Sequence, residues 1–136
     1  MSDTANKPRP QFRNINVIDL MAYRLPMAGK VSILHRISGA LLFLCLPLLI
    51  ALFAMSFVSQ AGFNALAMIT GHPLVKVILL VLIWGYLHHF CAGIRYLILD
   101  LHIGLDKEPA AKSASLVMGV SLALTLVFGL KLFGVW

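Results

Sequence analysis

Charge is what this sequence has least of. Only 12% of its 136 residues are Asp, Glu, Lys or Arg, and five of them are acidic, whereas soluble domains carry roughly 25% charged residues. Too few polar groups exist to clothe a globular surface, which excludes a soluble enzyme and leaves lipid as the solvent of most of the chain. Cysteine is equally scarce. Cys45 and Cys91 are the two present, and both fall inside apolar runs, so neither a disulfide framework nor a thiolate metal cluster is supported; each reads as a small apolar filler. No glycine-rich dinucleotide fingerprint is found, and no internal repeat or low-complexity segment. What the chain has in abundance is hydrocarbon, with 60% hydrophobic residues and a mean hydropathy of +0.93.

The formal charge of +6 would suit nucleic acid, but its distribution argues against that partner. Lys7, Arg9, Arg13, Arg24, Lys30 and Arg36 all precede the first long apolar run, as in a segment retained on the cytoplasmic side of a membrane. The first six residues contain no apolar core of a leader and no arginine-rich transit character, so a cleaved targeting segment is not indicated. A bacterial inner-membrane protein is the expectation, inserted by its own first span.

Three spans follow from the hydropathy pattern, at about 32–58, 76–99 and 114–136, each long enough to cross ~30 Å of hydrocarbon at ~1.5 Å per residue. The expected fold is an all-α membrane protein: a cytoplasmic segment over 1–30, then a three-helix transmembrane domain over 31–136. Pro47 should kink the first span. Residues 59–73, with Gly62, Gly71 and Pro73 and no charge, read as a short connection. Lys131 can snorkel from the third span, and Trp136 suits an interface anchor. The basic N-terminus, together with Lys107 and Lys112 in the second loop, places the N-terminus inside. The start of span one and the end of span two therefore face the same compartment, and residues there can meet. A lone three-helix unit with this much apolar surface is expected to pack against other subunits.

Polar residues inside such spans require partners. Ser32, His35, Arg36 and Gly39 recur at i, i+3, i+4 and i+7, one stripe of span one. The stripe is either a functional site or a row in which Arg36 reaches lipid phosphates while Ser32 and His35 bond to backbone. On span two, His89 lies between Gly85 and Gly93 at spacings of four, ~16 Å along the axis from Asp100 and so near mid-membrane. The glycines leave room for a flat macrocycle beside the imidazole, as in axial haem ligation within a bundle. The alternative is a core histidine hydrogen-bonded to another helix, with glycines permitting close packing. His88 points about 100° away and reads as a hydrogen-bonded polar residue. Arg95, ~9 Å nearer the cytoplasm, matches the offset from a haem iron to its propionates, and His35 and Arg36 stand at a comparable level. Without a Cys-x-x-Cys-His motif, any haem would be b-type rather than c-type. One well-placed donor is available on this face, so a second axial ligand would come from a partner.

Ser32-Ile33-Leu34-His35-Arg36-Ile37-Ser38-Gly39 together with His89-Phe90-Cys91-Ala92-Gly93-Ile94-Arg95-Tyr96-Leu97-Ile98-Leu99-Asp100 resemble the two signatures of the cytochrome b subunit of succinate dehydrogenase, and the resemblance extends over nearly the whole chain. It implies haem b and ubiquinone as ligands: His89 as an axial ligand of the iron, Ser32 and Arg36 in the quinone pocket, and His35, Arg36 and Arg95 at the haem propionates, with Asp100 organising the helix end. It implies a second membrane anchor subunit that supplies the other axial ligand, and iron-sulfur and flavoprotein subunits on the cytoplasmic side. Tyr96 departs from the pattern, in which histidine commonly follows the arginine. Two other classes compete with this reading: a haem-free structural anchor whose stripe docks a partner or lipid, and a small proton-conducting subunit relaying through His89.

Overall fold

A computed structural model of the chain describes Ile18 and residues 23–136. The cations Lys7, Arg9 and Arg13 of the basic tail lie outside the described residues. Among the described residues, four helices run in sequence: α1 Met27–Val58, α2 Gln60–Gly71, α3 Pro73–Asp100 and α4 Lys107–Leu132. Three of them, α1, α3 and α4, are long and apolar enough to cross a membrane, and the chain is an all-α, multi-pass membrane protein.

The ends of these helices follow local chemistry. The segment expected to be a short connection over 59–73 is almost entirely helical. Ser59 begins α2 by accepting a hydrogen bond from the Gly62 amide at 3.0 Å, a side-chain cap that satisfies one of the first-turn donors. His72 caps the next helix, its Nδ1 accepting from the Leu74 amide at 3.2 Å, and Pro73 occupies the first helical position, where a missing N–H costs nothing. The turn signals Gly71 and Pro73 thus mark a boundary between two helices, not a loop. α1 continues through Pro47. α4 starts seven residues before the expected 114 because Lys107–Ser113 are good helix residues with Pro109 confined to the first turn. It ends at Leu132, where Gly134 takes a φ of 77°. Lys131 Nζ then rests 4.7 Å from the centre of the Trp136 ring, so the cation and the interface aromatic sit together.

The core is small because most side chains face outward. Val31 of α1, Ala92 of α3, and Ala114 and Val117 of α4 pack as one cluster. Small residues let the three backbones approach, which is how helices associate where lipid supplies no hydrophobic drive. Gly129 carries the same device at the other end of the α3–α4 pair: a Cβ there would stand 2.9 Å from Leu80 Cδ1. Large apolar side chains such as Phe43, Leu44, Phe53, Leu97 and Leu116 remain exposed, as a lipid- or subunit-facing surface requires.

Candidate functional site

The stripe on α1 and the histidine on α3 meet. The rings of His35 and His89 lie parallel, with centroids 4.2 Å apart and planes 9° from one another. His89 Nδ1 is 3.0 Å from the backbone carbonyl oxygen of His35 and 3.3 Å from Ser38 Oγ. A carbonyl oxygen only accepts. The 3.0 Å approach therefore places the proton on Nδ1, and Nδ1–H donates to the carbonyl. Ser38 Oγ–H donates to the same oxygen at 3.0 Å. With Nδ1 protonated in a neutral imidazole, the lone pair resides on Nε2. A carbonyl tether of this kind on one ring nitrogen is how proteins fix the tautomer of a metal-ligating histidine.

Gly39 makes the tether accessible. In a helix each side chain leans back over the carbonyl one turn earlier, so residue 39 would ordinarily cover the oxygen of residue 35. A Cβ at Gly39 would stand 2.8 Å from His89 Cε1 and 3.2 Å from Nδ1. The bare backbone is the seat of the imidazole. The glycines of α3 play a different part from the one their spacing suggested. A Cβ on Gly85 would lie 4.0 Å from Ser38 Cβ, and one on Gly93 would lie 3.8 Å from His35 Nε2. Each position thus keeps ordinary spacing to a single α1 side chain, in contrast to the close approach at Gly39. Sequence reasoning placed Gly39 on the stripe but did not read it as the seat of the imidazole, and it gave Ser38 no part in the site. The signal for Gly39 was its place on the Ser32 stripe.

His88 and His89 are adjacent but differently placed. The His88 side chain is fully buried, stacked against Trp84 with ring centres 5.4 Å apart. Neither of its ring nitrogens has a hydrogen-bond partner, which corrects the expectation of a satisfied polar residue. Its enclosure leaves no room for a macrocycle. His89 is only partly buried.

Arg95 does not join the pair. It is buried and turned to α4, where Nε donates to Ser113 Oγ at 2.9 Å and an Nη donates to the Ala110 carbonyl at 3.1 Å. Tyr96 lies beside His35, ring centres 5.1 Å apart, and its buried hydroxyl has no partner. Ser32, one turn before His35, is half-buried, and Arg36, the next residue along α1, is exposed. Asp100 is the last residue of α3 and is exposed. Among the described residues no three His, Cys, Asp or Glu side chains converge on a bare metal ion. An imidazole prepared in this way suits a metal whose other ligands come from a macrocycle or another chain.

Comparison with known proteins gives these residues a family. Residues 6–128 match the succinate dehydrogenase/fumarate reductase transmembrane subunits. The chain belongs to this family. Among its relatives, the succinate dehydrogenase cytochrome b556 subunit of Coxiella burnetii is 33% identical over 120 residues, 88% of this chain and 92% of the relative. The protein of the same description from Paracoccus denitrificans is 31% identical over 127 residues, 93% and 94% of the two chains. The shared length covers α1, α3 and nearly all of α4, so the tethered imidazole and the stripe beside it lie within the part of the chain that defines a transmembrane subunit of this family.

Proposed function

We propose that this chain is the haem-b- and quinone-binding membrane anchor of a succinate dehydrogenase, with His89 Nε2 as one axial ligand of the haem iron. The observation that carries the reading is the His89 Nδ1–H bond to the His35 carbonyl, which leaves the Nε2 lone pair as the one available to a metal. A bound haem would supply one-electron storage within the bilayer. The relatives' description as cytochrome b556 supports a b-type group, and the absence of a Cys-x-x-Cys-His motif agrees with noncovalent attachment. His35 and Arg36 are the residues of this chain offered to the propionates, as donors of charge-assisted hydrogen bonds. Arg95, expected there too, is turned to α4, where two of its donors bond Ser113 Oγ and the Ala110 carbonyl.

Ubiquinone is the proposed electron acceptor, at the first turns of α1. Its reduction takes two electrons and two protons, so negative charge develops on a carbonyl oxygen. Ser32 is proposed to donate a hydrogen bond to that oxygen, and Arg36 to hold a fixed positive charge beside it, so that stabilisation is in place before the charge forms. This chain has neither a dinucleotide fingerprint nor a cysteine cluster, so electrons would reach it from flavoprotein and iron-sulfur subunits docked where α1 begins. A second anchor subunit would provide the other axial ligand, and the complex would sit in the bacterial inner membrane with the N-terminus of this chain inside.

The direct test is to purify the chain with the proteins that accompany it and record an optical spectrum. A Soret band together with co-purifying flavin and iron-sulfur absorption is the expected result; an intact assembly without haem absorption would overturn the ligand assignment. Gly39→Ala probes the seat independently. Its Cβ must displace the His89 ring or separate α1 from α3, at a cost of roughly 1–3 kcal/mol for overpacking. Haem content is expected to fall about tenfold or more, in the range set by losing a ligand's supporting hydrogen bond. Unchanged content, measured by pyridine haemochrome, would show that the imidazole does not rest on Gly39.

A further inference from the structure

Arg95 is a buried cation whose guanidinium carbon lies 5.4 Å from the centre of the Tyr96 ring. It is 6% exposed, and both of its hydrogen bonds go to neutral oxygens, Ser113 Oγ and the Ala110 carbonyl. No carboxylate pairs with it among the described residues. A guanidinium carries five N–H donors, so three remain, and a buried cation without an anion is a costly state in a membrane protein. Arg95 also lines a groove of about 390 Å³ between the C-terminal turns of α3 and the first half of α4. The other walls are hydrocarbon, among them Ile94, Ile98, Leu116 and Val120. Arg95 precedes the end of α3 by five residues, or ~7.5 Å, which puts its charge near the boundary between headgroups and acyl chains.

We propose that this groove binds one anionic phospholipid, its phosphate on the remaining Arg95 donors and an acyl chain along Leu116 and Val120. The pairing matches a cation of fixed position to an anion and an apolar channel to a hydrocarbon tail, with Ser113 holding the guanidinium in place. A second groove, of about 430 Å³ near Leu80 and Phe133, has no charged side chain in its lining; no such preference for an anion is expected there. The inference requires only that α3 and α4 span the bilayer and is independent of the haem reading.

The test uses the complex purified with its partner subunits, titrated with phosphatidylglycerol or phosphatidylcholine and followed by native mass spectrometry. The unaltered complex is expected to retain phosphatidylglycerol about fivefold better, the preference contributed by one basic residue at a membrane surface. Arg95→Gln should abolish the difference. Leu116→Trp, at an exposed groove position that leaves the Arg95 bonds to α4 intact, should remove it by filling the channel, and it decides the matter if Arg95→Gln fails to assemble. Equal retention of the two lipids by the unaltered complex would overturn the proposal, as would a preference that survives Leu116→Trp. Haem absorbance read on the same samples reports separately on His89.

Discussion

His89→Ala is expected to strip the assembled complex of its haem band, with bound haem falling by well over about tenfold, since even the loss of a ligand's supporting group costs 10- to 100-fold in metal affinity. The position of the imidazole proton decides this. The His35 carbonyl, 3.0 Å away, requires Nδ1 to carry hydrogen, so Nε2 is the only ring atom able to bind iron, and alanine leaves no substitute. The adjacent histidine supplies the control. His88 is sealed among helices, stacked on Trp84, so His88→Leu should retain the Soret band even if packing suffers. The reverse pattern, haem kept in His89→Ala and lost in His88→Leu, would reassign the ligand to the wrong-facing residue and sink the tether argument. Loss in both would have to be separated from misassembly by the flavin content of the preparation.

The second large effect concerns Arg36. Arg36→Ala should lower succinate-driven quinone reduction by about 10²-fold, the scale observed when a preorganised donor to a developing oxyanion is deleted. Ser32→Ala should act in the same direction. Electron delivery to a soluble dye that accepts from the iron-sulfur or flavin subunit should be unaltered in both, because neither residue belongs to that part of the assembly. Arg36→Lys separates charge from geometry: an ammonium retains the positive charge but loses the planar fork, so partial recovery of quinone reduction is expected. Equal loss of dye and quinone activities would point to failed docking of the partner subunits instead of a quinone site. Full quinone activity in Arg36→Ala and Ser32→Ala would return the stripe to its other reading, contact with lipid headgroups.

The stripe on α1 was legible from helical periodicity alone, because Ser32, His35, Arg36 and Gly39 share a face whatever the helix packs against. Its meeting with His89 was half-legible: three spans bring the start of the first and the end of the second to one side. Which atoms meet was not. The close approach is at Gly39 on the facing helix, where a Cβ would stand 2.8 Å from His89 Cε1, whereas Gly85 and Gly93, singled out by their spacing, keep ordinary distances of 4.0 and 3.8 Å to α1. Arg95 looked like a neighbour of His35 because the two share a depth, but depth fixes position along an axis and says nothing of rotation about it. The reading of 59–73 as a short connection failed likewise at 60–71, where Gly62 falls in the first turn and Gly71 at the last position of a helix capped by Ser59.

By itself the sequence determined the solvent, the number of long apolar helices and the identity of the polar residues within them, because hydropathy, length and period are properties of a single strand of residues. Tertiary structure alone decided which nitrogen of His89 holds the proton, that His88 is sealed against Trp84, and that Arg95 faces α4. Those outcomes depend on the rotation and separation of one helix against another, and these are set by small residues such as Gly39, Ala92 and Ala114 at the contacts, through distances of a few ångströms that no spacing within one helix encodes.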